Sequence, residues 1–297
     1  MSGADDSLKA QVCADDILIV PGIHDGYSAR LIDQAGFSVA IAGGSGLSES
    51  RLGWADRGIL GLHDNVNAVR DLASCAPGLK IIADGDTGYG NAVNVHFTVR
   101  AFEQAGASAV LIEDQVWPKR CGHMAGKAVI DVDEAAEKIS AAVEAREKPE
   151  FLIVARTDSA ATDGLREAIT RLNRFEEVGA DVLFADALLS ADDIRTVAQE
   201  TQKPLLVNMG LGLRQRPTTP LISPKALQEL GAAAVIYPRL LTAAALKGMM
   251  NALDVFQQNV LNENKTPDRD DLLASFDEIN RLTGMAQLDA LEKVRDS

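Results

Sequence analysis

Cysteine is scarce in this chain, with three residues in 297: Cys13, Cys75 and Cys121. So sparse and odd-numbered a set does not make a disulfide scaffold, and a reducing cytoplasm is the expected compartment. No second cysteine lies within four residues of Cys121, so the spacing of a zinc site is missing. Long apolar runs are absent too. None reaches the roughly 20 residues of a membrane span. The stretch from Met1 to Lys9 is polar and lacks the apolar core of a signal peptide. Positive charge is also short: 29 Lys and Arg stand against 43 Asp and Glu, a formal net charge of −14. Such a surface repels phosphate backbones, which argues against nucleic acid and anionic membranes as partners.

What is present is apolar sequence in short pieces. Eight runs recur: Ile17–Gly22, Val39–Gly43, Lys80–Asp86, Ala109–Asp114, Phe151–Thr157, Val182–Ala187, Pro204–Met209 and Ala233–Pro238. Each is nearly continuous in apolar character, as strands buried on both faces are. Helical patterns separate them. Four of these patterns end at Gly36, Gly106, Gly179 and Gly231, where glycine can take the left-handed cap conformation before the next strand. Strands alternating with helices predict a parallel sheet. Eight very apolar strands favour an α/β fold closed as a (β/α)8 TIM-type barrel over an open sheet. The chain length suits a barrel of about 250 residues with a tail. Asp84, Asp86, Glu113, Asp114, Arg156, Asp158, Asp186, Asn208 and Arg239 all fall at or just past strand C-ends. A barrel brings those positions to one mouth. Beyond Leu241 the helical patterns are Leu241–Val260, Asp270–Leu282 and Met285–Val294. The expectation is a single barrel domain over 1–297, with 242–297 a helical extension that packs on a partner subunit of a homo-oligomer.

Three groups of residues carry chemistry. Asp56, Asp84, Asp86 and Glu113 are carboxylates from separate segments, and hard cations such as Mg2+ prefer oxygen ligands. Pro118-Lys119-Arg120-Cys121-Gly122-His123 surrounds a thiol with cations. Neighbouring cations favour a thiolate, so such a cysteine can shuttle a proton. Gly122 and Gly126 make the segment from Pro118 to Lys127 a candidate mobile loop that excludes water from the reaction. Arg156 and Arg239, each at a strand end, can clamp a carboxylate bidentately; for Arg156 a structural ion pair with Asp158 is the competing reading. Asp25, after His24, reads as a helix N-cap.

Asp84-Gly-Asp-Thr-Gly-Tyr-Gly90 and Glu113-Asp-Gln-Val-Trp-Pro-Lys-Arg-Cys-Gly-His123 resemble motifs of the isocitrate lyase/phosphoenolpyruvate mutase superfamily. Pro21–Asp25, Ala155–Asp158 and Asn208-Met209 fit the same pattern, and the resemblance runs from about Ile17 to Leu241. The subgroup it points to holds methylisocitrate lyase, dimethylmalate lyase, oxaloacetate hydrolase and carboxyphosphonoenolpyruvate mutase. The resemblance implies a barrel whose last helix is swapped between subunits, as in a tetramer built of two swapped dimers. It implies Mg2+, with Mn2+ as a substitute, held directly by Asp84 and through water by Asp56, Asp86 and Glu113. It implies a small carboxylate substrate, with Arg156 and the backbone at Gly43, Gly44 and Ser45 as its carboxylate partners; Asp56, Asp186, Asn208 and Arg239 complete the expected substrate-binding group. It makes Cys121 the acid/base, with Lys119, His123 and Arg156 in the catalytic group, for a carbon–carbon lyase acting on a 2-hydroxy di- or tricarboxylate. Oxaloacetate hydrolysis or decarboxylation, P–C mutase chemistry and a non-catalytic organic-acid binder are the alternatives. The chain departs from the family pattern at Ile41 (tyrosine in lyases), Gly43 (serine), Asp186 and Leu211 (glutamates) and Arg239 (an apolar residue).

Overall fold

Val20, Ile41, Ile82, Leu111, Val154, Phe184, Leu206 and Ile236 belong to one buried cluster, yet they come from eight separate runs of sequence. That cluster is the interior of a barrel. Its strands are β1 (Leu18–Ile23), β2 (Val39–Ala42), β3 (Lys80–Asp84), β4 (Ala109–Glu113), β5 (Leu152–Thr157), β6 (Val182–Ala185), β7 (Leu205–Asn208) and β8 (Ala234–Tyr237). This is a computed structural model, and it describes residues 6–122, 124, 126–211 and 219–293. All neighbouring strands pair in parallel, and the ring closes where β1 meets β8, from Leu18 opposite Ala234 to Pro21 opposite Tyr237. The alternate residues, such as Val110, Ile112, Ile153, Leu183 and Val235, are buried as well. Burial on both faces is why the strands read as unbroken apolar runs.

The first compact unit ends at Leu240. Its longer helices are α1 (Leu8–Val12), α2 (Gly26–Gln34), α3 (Leu62–Cys75), α4 (Ala92–Gln104), α5 (Val132–Ala145), α6 (Leu165–Glu177), α7 (Ala191–Glu200) and α8 (Pro224–Glu229). Asp25 caps α2 as its sequence predicts, accepting from Ser28 N at 2.8 Å. Gly36, Gly106, Gly179 and Gly231 take φ of 85°, 98°, 103° and 96°, the left-handed turn expected between helix and strand. Helix α1 was not legible, because five residues are too few for a periodic signal. Its Leu8 and Val12 join the interior cluster. Asp6, just before it, and Gln11, within it, reach Lys80 at 2.7 Å and Ser38 at 2.6 Å, at the N-terminal ends of two strands. Helix α1 therefore plugs the bottom of the barrel.

Several strands stop one or two residues before their apolar run does. Asp86 and Ala187 adopt φ of 47° and 60°, so the chain leaves the ladder there.

The second unit begins at Leu241 and is helical. Helix α9 (Leu240–Val255) continues as a π-helical stretch, Phe256–Asn262, followed by α10 (Phe276–Thr283) and α11 (Met285–Lys293). Helix α10 starts later than the Asp270 its sequence pattern predicts, because Ser275 and Glu278 form a capping box. Glu278 N donates to Ser275 Oγ at 3.2 Å and Ser275 N donates to Glu278 Oε2 at 2.7 Å. No described residue of these helices is buried, and Leu246, Met249, Leu253 and Phe256 are exposed. Among the described residues no helix is long and apolar enough to cross a membrane.

Candidate active site

The strand C-ends carry two sets of charge. The first lies on the β2–β4 side. Asp84, the last residue of β3, is held by two backbone donors: Gly44 N to Oδ2 at 2.8 Å and Asp86 N to Oδ1 at 3.1 Å. Asp86 is buried, and its Oδ2 accepts from Tyr89 Oη at 3.2 Å and from Asn65 Nδ2 at 3.4 Å. Burial pushes its carboxyl up to about 6, in spite of the Lys119 ammonium beside it. Lys119 Nζ lies 2.7 Å from Asp86 Oδ1 and 2.6 Å from Asp56 Oδ1, so one ammonium bridges two carboxylates. Glu113, the last residue of β4, is 3.3 Å from Arg156 through Oε2. Its Oε1 is buried with no hydrogen-bond partner among the described residues. Burial pushes the Glu113 carboxyl well above the usual range, although Arg156 opposes this. The adjacent Asp114 faces elsewhere. It accepts from Thr157 Oγ1 at 2.7 Å, from Asp158 N at 2.9 Å and from Arg171 at 3.2 Å, so it braces β5 rather than lining the mouth.

The second set lies on the β5–β8 side and is built around arginine. Arg156 donates through Nε to Asp158 Oδ2 at 2.8 Å, and through Nη2 to Asp158 Oδ1 at 3.0 Å and Asp186 Oδ2 at 2.7 Å. Its carbon also lies 5.3 Å from the centre of the Phe184 ring. The fork is thus fully engaged inside the protein, and a substrate carboxylate gains it only by exchange with Asp186 or Glu113. Burial alone would raise the Asp158 carboxyl, but Arg156 and Lys127 outweigh it and hold it at about 2. Lys127 Nζ reaches Asp158 Oδ1 at 2.6 Å and the carbonyl of Gly122 at 2.8 Å. Asn208 reaches Asp186 at 3.5 Å. Arg239 binds both carboxylate oxygens of Glu49 through Nη1, and its Nη2 lies 3.4 Å from Cys121 Sγ.

The loop after β4 joins the two sets. Gln115 clamps Arg120, donating to its carbonyl at 2.9 Å and accepting from its N–H at 3.0 Å, while Cys121 N donates to Asp56 O at 3.2 Å. Gly122 lies against the arginine set so closely that a Cβ there would stand 1.5 Å from Asp186 Oδ2 and 2.8 Å from Arg156 Nη2. Only glycine permits that approach. The loop is docked over the mouth here.

The result is a small cavity at the barrel mouth. Of the residues predicted from sequence, Gly43, Ser45, Asp56, Asp84, Lys119, Cys121, Arg156, Asp186, Asn208 and Arg239 line it together with Ile41. Gly44, Asp86 and Glu113 stand behind that lining, in contact with it. His123 lies outside the described residues. Sequence reasoning missed Glu49, Asn65 and Tyr89. Asn65 and Glu49 sit in helical segments that announce nothing, whereas Tyr89, inside the glycine-rich stretch after Asp86, was there to be read.

A closed (β/α)8 barrel that gathers its ionisable groups and one thiol at the strand C-ends is an enzyme's architecture. The family model described as phosphoenolpyruvate phosphomutase matches residues 8–256. A curated relative, 2,3-dimethylmalate lyase of Eubacterium barkeri, is 36% identical over 280 residues, covering 94% of this chain and 92% of its own. Oxaloacetate acetylhydrolase, solved with the inhibitor 3,3-difluorooxalacetate, superposes with a TM-score of 0.89 at 28% identity, covering 98% of this chain and 96% of the other. Phosphonopyruvate hydrolase, solved with oxalate and Mg2+, gives a TM-score of 0.82 at 29% identity, with 96% of each chain covered. This chain belongs to the phosphoenolpyruvate mutase/isocitrate lyase superfamily. The family-level activity is that of a lyase.

The donor set fits a hard divalent cation. Asp56, Asp84, Asp86 and Glu113 offer only oxygen, and the buried Glu113 Oε1 lacks a partner. Among the described residues, however, no three ligating groups are arranged as a finished coordination shell. The Lys119 ammonium takes the space between Asp56 and Asp86.

Proposed function

We propose that this protein is a Mg2+-dependent carbon–carbon lyase that cleaves a 2-hydroxy di- or tricarboxylate of the methylisocitrate or dimethylmalate type into a 2-oxo acid such as pyruvate and a second carboxylate. The observation that carries this reading is the Cys121 thiol, which shares one cavity with the acid set on one side and with Arg156 and Arg239 on the other. Asp84 would hold the ion directly, with Asp56, Asp86 and Glu113 acting through water. When bound, the ion supplies electrostatic stabilisation of the negative charge that develops on the C2 oxygen. Arg156, Asn208 and the backbone around Gly43–Ser45 orient the substrate carboxylates. The C2 hydroxyl gives up its proton, the C2–C3 bond breaks and C2 becomes a ketone. The electron pair leaves with the other fragment as an enolate, and Cys121 donates its proton to the enolate carbon. The described residues assign no general base, since Ile41 stands where lyases carry tyrosine. The loop at Pro118–Gly122, docked over the mouth, keeps water from the enolate until that proton arrives.

The exposed apolar side chains of α9, Leu246, Met249 and Leu253, support a swap of this helix between subunits of a homo-oligomer. A cytoplasmic setting accords with three free cysteines. A second reading, C–C hydrolysis of oxaloacetate at the same site, draws support from the likeness to oxaloacetate acetylhydrolase. Release of 2-oxo acid or oxalate from a panel of 2-hydroxy di- and tricarboxylates, oxaloacetate and phosphonopyruvate, with Mg2+ and with EDTA, tests both. EDTA-sensitive pyruvate release from one hydroxy acid is the expected result. Oxalate from oxaloacetate alone would replace the first reading with the second, and turnover of phosphonopyruvate alone would overturn both.

A further inference from the structure

Two consecutive residues of the loop over the mouth each lie against a different arginine. A Cβ on Gly122 would stand 2.8 Å from Arg156 Nη2, and Cys121 Sγ lies 3.4 Å from Arg239 Nη2. The reaction above gives Arg156 a place among the partners of the substrate carboxylates. It gives Arg239 none, although Arg239 is an arginine in contact with the proton donor.

Arg239 is held in a set direction. Its Nη1 donates to both carboxylate oxygens of Glu49, at 2.6 Å to Oε1. Glu49 belongs to a π-helical turn, Ser48–Leu52, whose serines brace it on either side. Ser48 Oγ donates to Trp54 O at 2.9 Å, and Ser50 Oγ donates to Gly46 O at 2.7 Å. The Arg239 side chain is only 12% exposed. A buried guanidinium fixed through one nitrogen presents the next one in a defined direction, here towards sulfur. A donor oriented in advance stabilises a developing charge without first having to reorganise.

The chemistry says which group meets it. Cys121 can protonate the enolate only if the accepting carbon, C3, comes within about 3.5 Å of Sγ. A carboxylate on C3 lies one bond further out, and Arg239 Nη2, in contact with the same sulfur, can reach its oxygens. As C2–C3 breaks, the electron pair of that bond spreads over C3 and those two oxygens, so a carboxylate with one negative charge becomes a group with two. When the thiol proton moves to C3, the carboxylate returns to one charge and the sulfur keeps the other as a thiolate. Both places where charge gathers lie against one guanidinium. Sulfur is a weak acceptor, so a carboxylate oxygen competes well for the nitrogen that faces it.

We propose that Arg239 is a further catalytic residue: it grips the carboxylate on C3, stabilises the second negative charge formed there as C2–C3 breaks, and then holds the charge that passes to sulfur. Glu49 is its positioning residue. The substrate class narrows with this role. The leaving fragment carries a carboxylate directly on C3, and a 2-hydroxy acid with an amide in that place is a poor substrate. This inference rests on the lyase reading of the site.

The test is steady-state cleavage of 2-methylisocitrate and 2,3-dimethylmalate by full-length wild type, Arg239→Leu, Arg239→Lys and Glu49→Gln, with succinate and oxalate as inhibitors. Succinate stands for the C3 fragment and oxalate for the 2-oxo acid end. Arg239→Leu should lower kcat by about 10^2- to 10^3-fold. It should weaken inhibition by succinate by about 10- to 100-fold and leave inhibition by oxalate unchanged. Arg239→Lys, which keeps a charge without the fork, should recover part of both losses. If Arg239→Leu does not fold, Glu49→Gln carries the test: inhibition by succinate should weaken while that by oxalate holds. Unchanged kcat and succinate inhibition in a folded Arg239→Leu overturn the proposal. Equal weakening of both inhibitors does so too, because a merely structural role predicts it. If the wild type cleaves no hydroxy acid, the lyase reading falls and Arg239's role with it; if the wild type cleaves one and Arg239→Leu cleaves it as well, only Arg239's role is lost.

Discussion

The two sides of the barrel mouth handle charge differently. On the β2–β4 side, Asp56, Asp84 and Asp86 face a single ammonium, Lys119, and Glu113 meets one nitrogen of Arg156, so negative charge is in surplus. On the β5–β8 side, Arg156, Lys127 and Arg239 are matched by Asp158, Asp186 and Glu49. Burial raises Asp86 to about 6 on the first side, while arginine and lysine hold Asp158 at about 2 on the second. A surplus of buried carboxylate is unfavourable until a cation relieves it, so that side is suited to bind one. A matched set is rigid and electrically quiet, so it accepts a substrate carboxylate only by exchange.

Cys121 sits at the seam, and its loss should have the largest effect while leaving both sides intact. Cys121→Ser should lower kcat by about 10^2- to 10^4-fold, with Mg2+ affinity and KM unchanged in calorimetry and steady-state assays. Unimpaired turnover would remove Cys121 from the proton transfer. Asp84→Asn strikes the surplus side alone. It should weaken Mg2+ binding by about a hundredfold or more, and a titration curve superimposing on that of the wild type would move the metal elsewhere. Arg156→Lys strikes the matched side. A point charge replaces a fork, so KM should rise about 10- to 100-fold with Mg2+ affinity preserved; a shift in Mg2+ affinity instead would show that the two sides are one network.

The smallest effect is a pH dependence. Asp158 titrates lower in the fold, about 2, than its ordinary 3.8, so as pH falls the unfolded chain takes up the proton first. The stability it contributes is complete above about pH 4 and is lost as pH falls through 2, in all about 2 kcal/mol. The stability gap between wild type and Asp158→Asn in urea unfolding should therefore shrink over that interval. A gap constant from pH 4 to pH 2 would sink this account.

Much of the barrel was legible in the chain because strands buried on both faces write themselves as short unbroken apolar runs, and all eight runs became strands. Their ends were less legible. Asp86 and Ala187 belong to apolar runs but leave the ladder in left-handed conformations. The candidate site was legible as a set of residues, since strand C-ends in a barrel share one mouth, and ten predicted lining residues do meet there. Their pairings were not legible. Glu49 binds Arg239 across 190 positions, and nothing near Glu49 marks it.

By itself, then, the sequence determined the period and burial of the elements, and with them the closed barrel and the membership of its mouth, because those follow from local apolar pattern and strand count. The tertiary structure alone decided that Lys119 bridges Asp56 and Asp86, that Arg156 is already engaged by its own protein, and that Gly122 lies against Asp186. Each depends on distances of a few ångströms between segments far apart in the chain, and electrostatic energy at that range is set by contact geometry and burial, not by residue order.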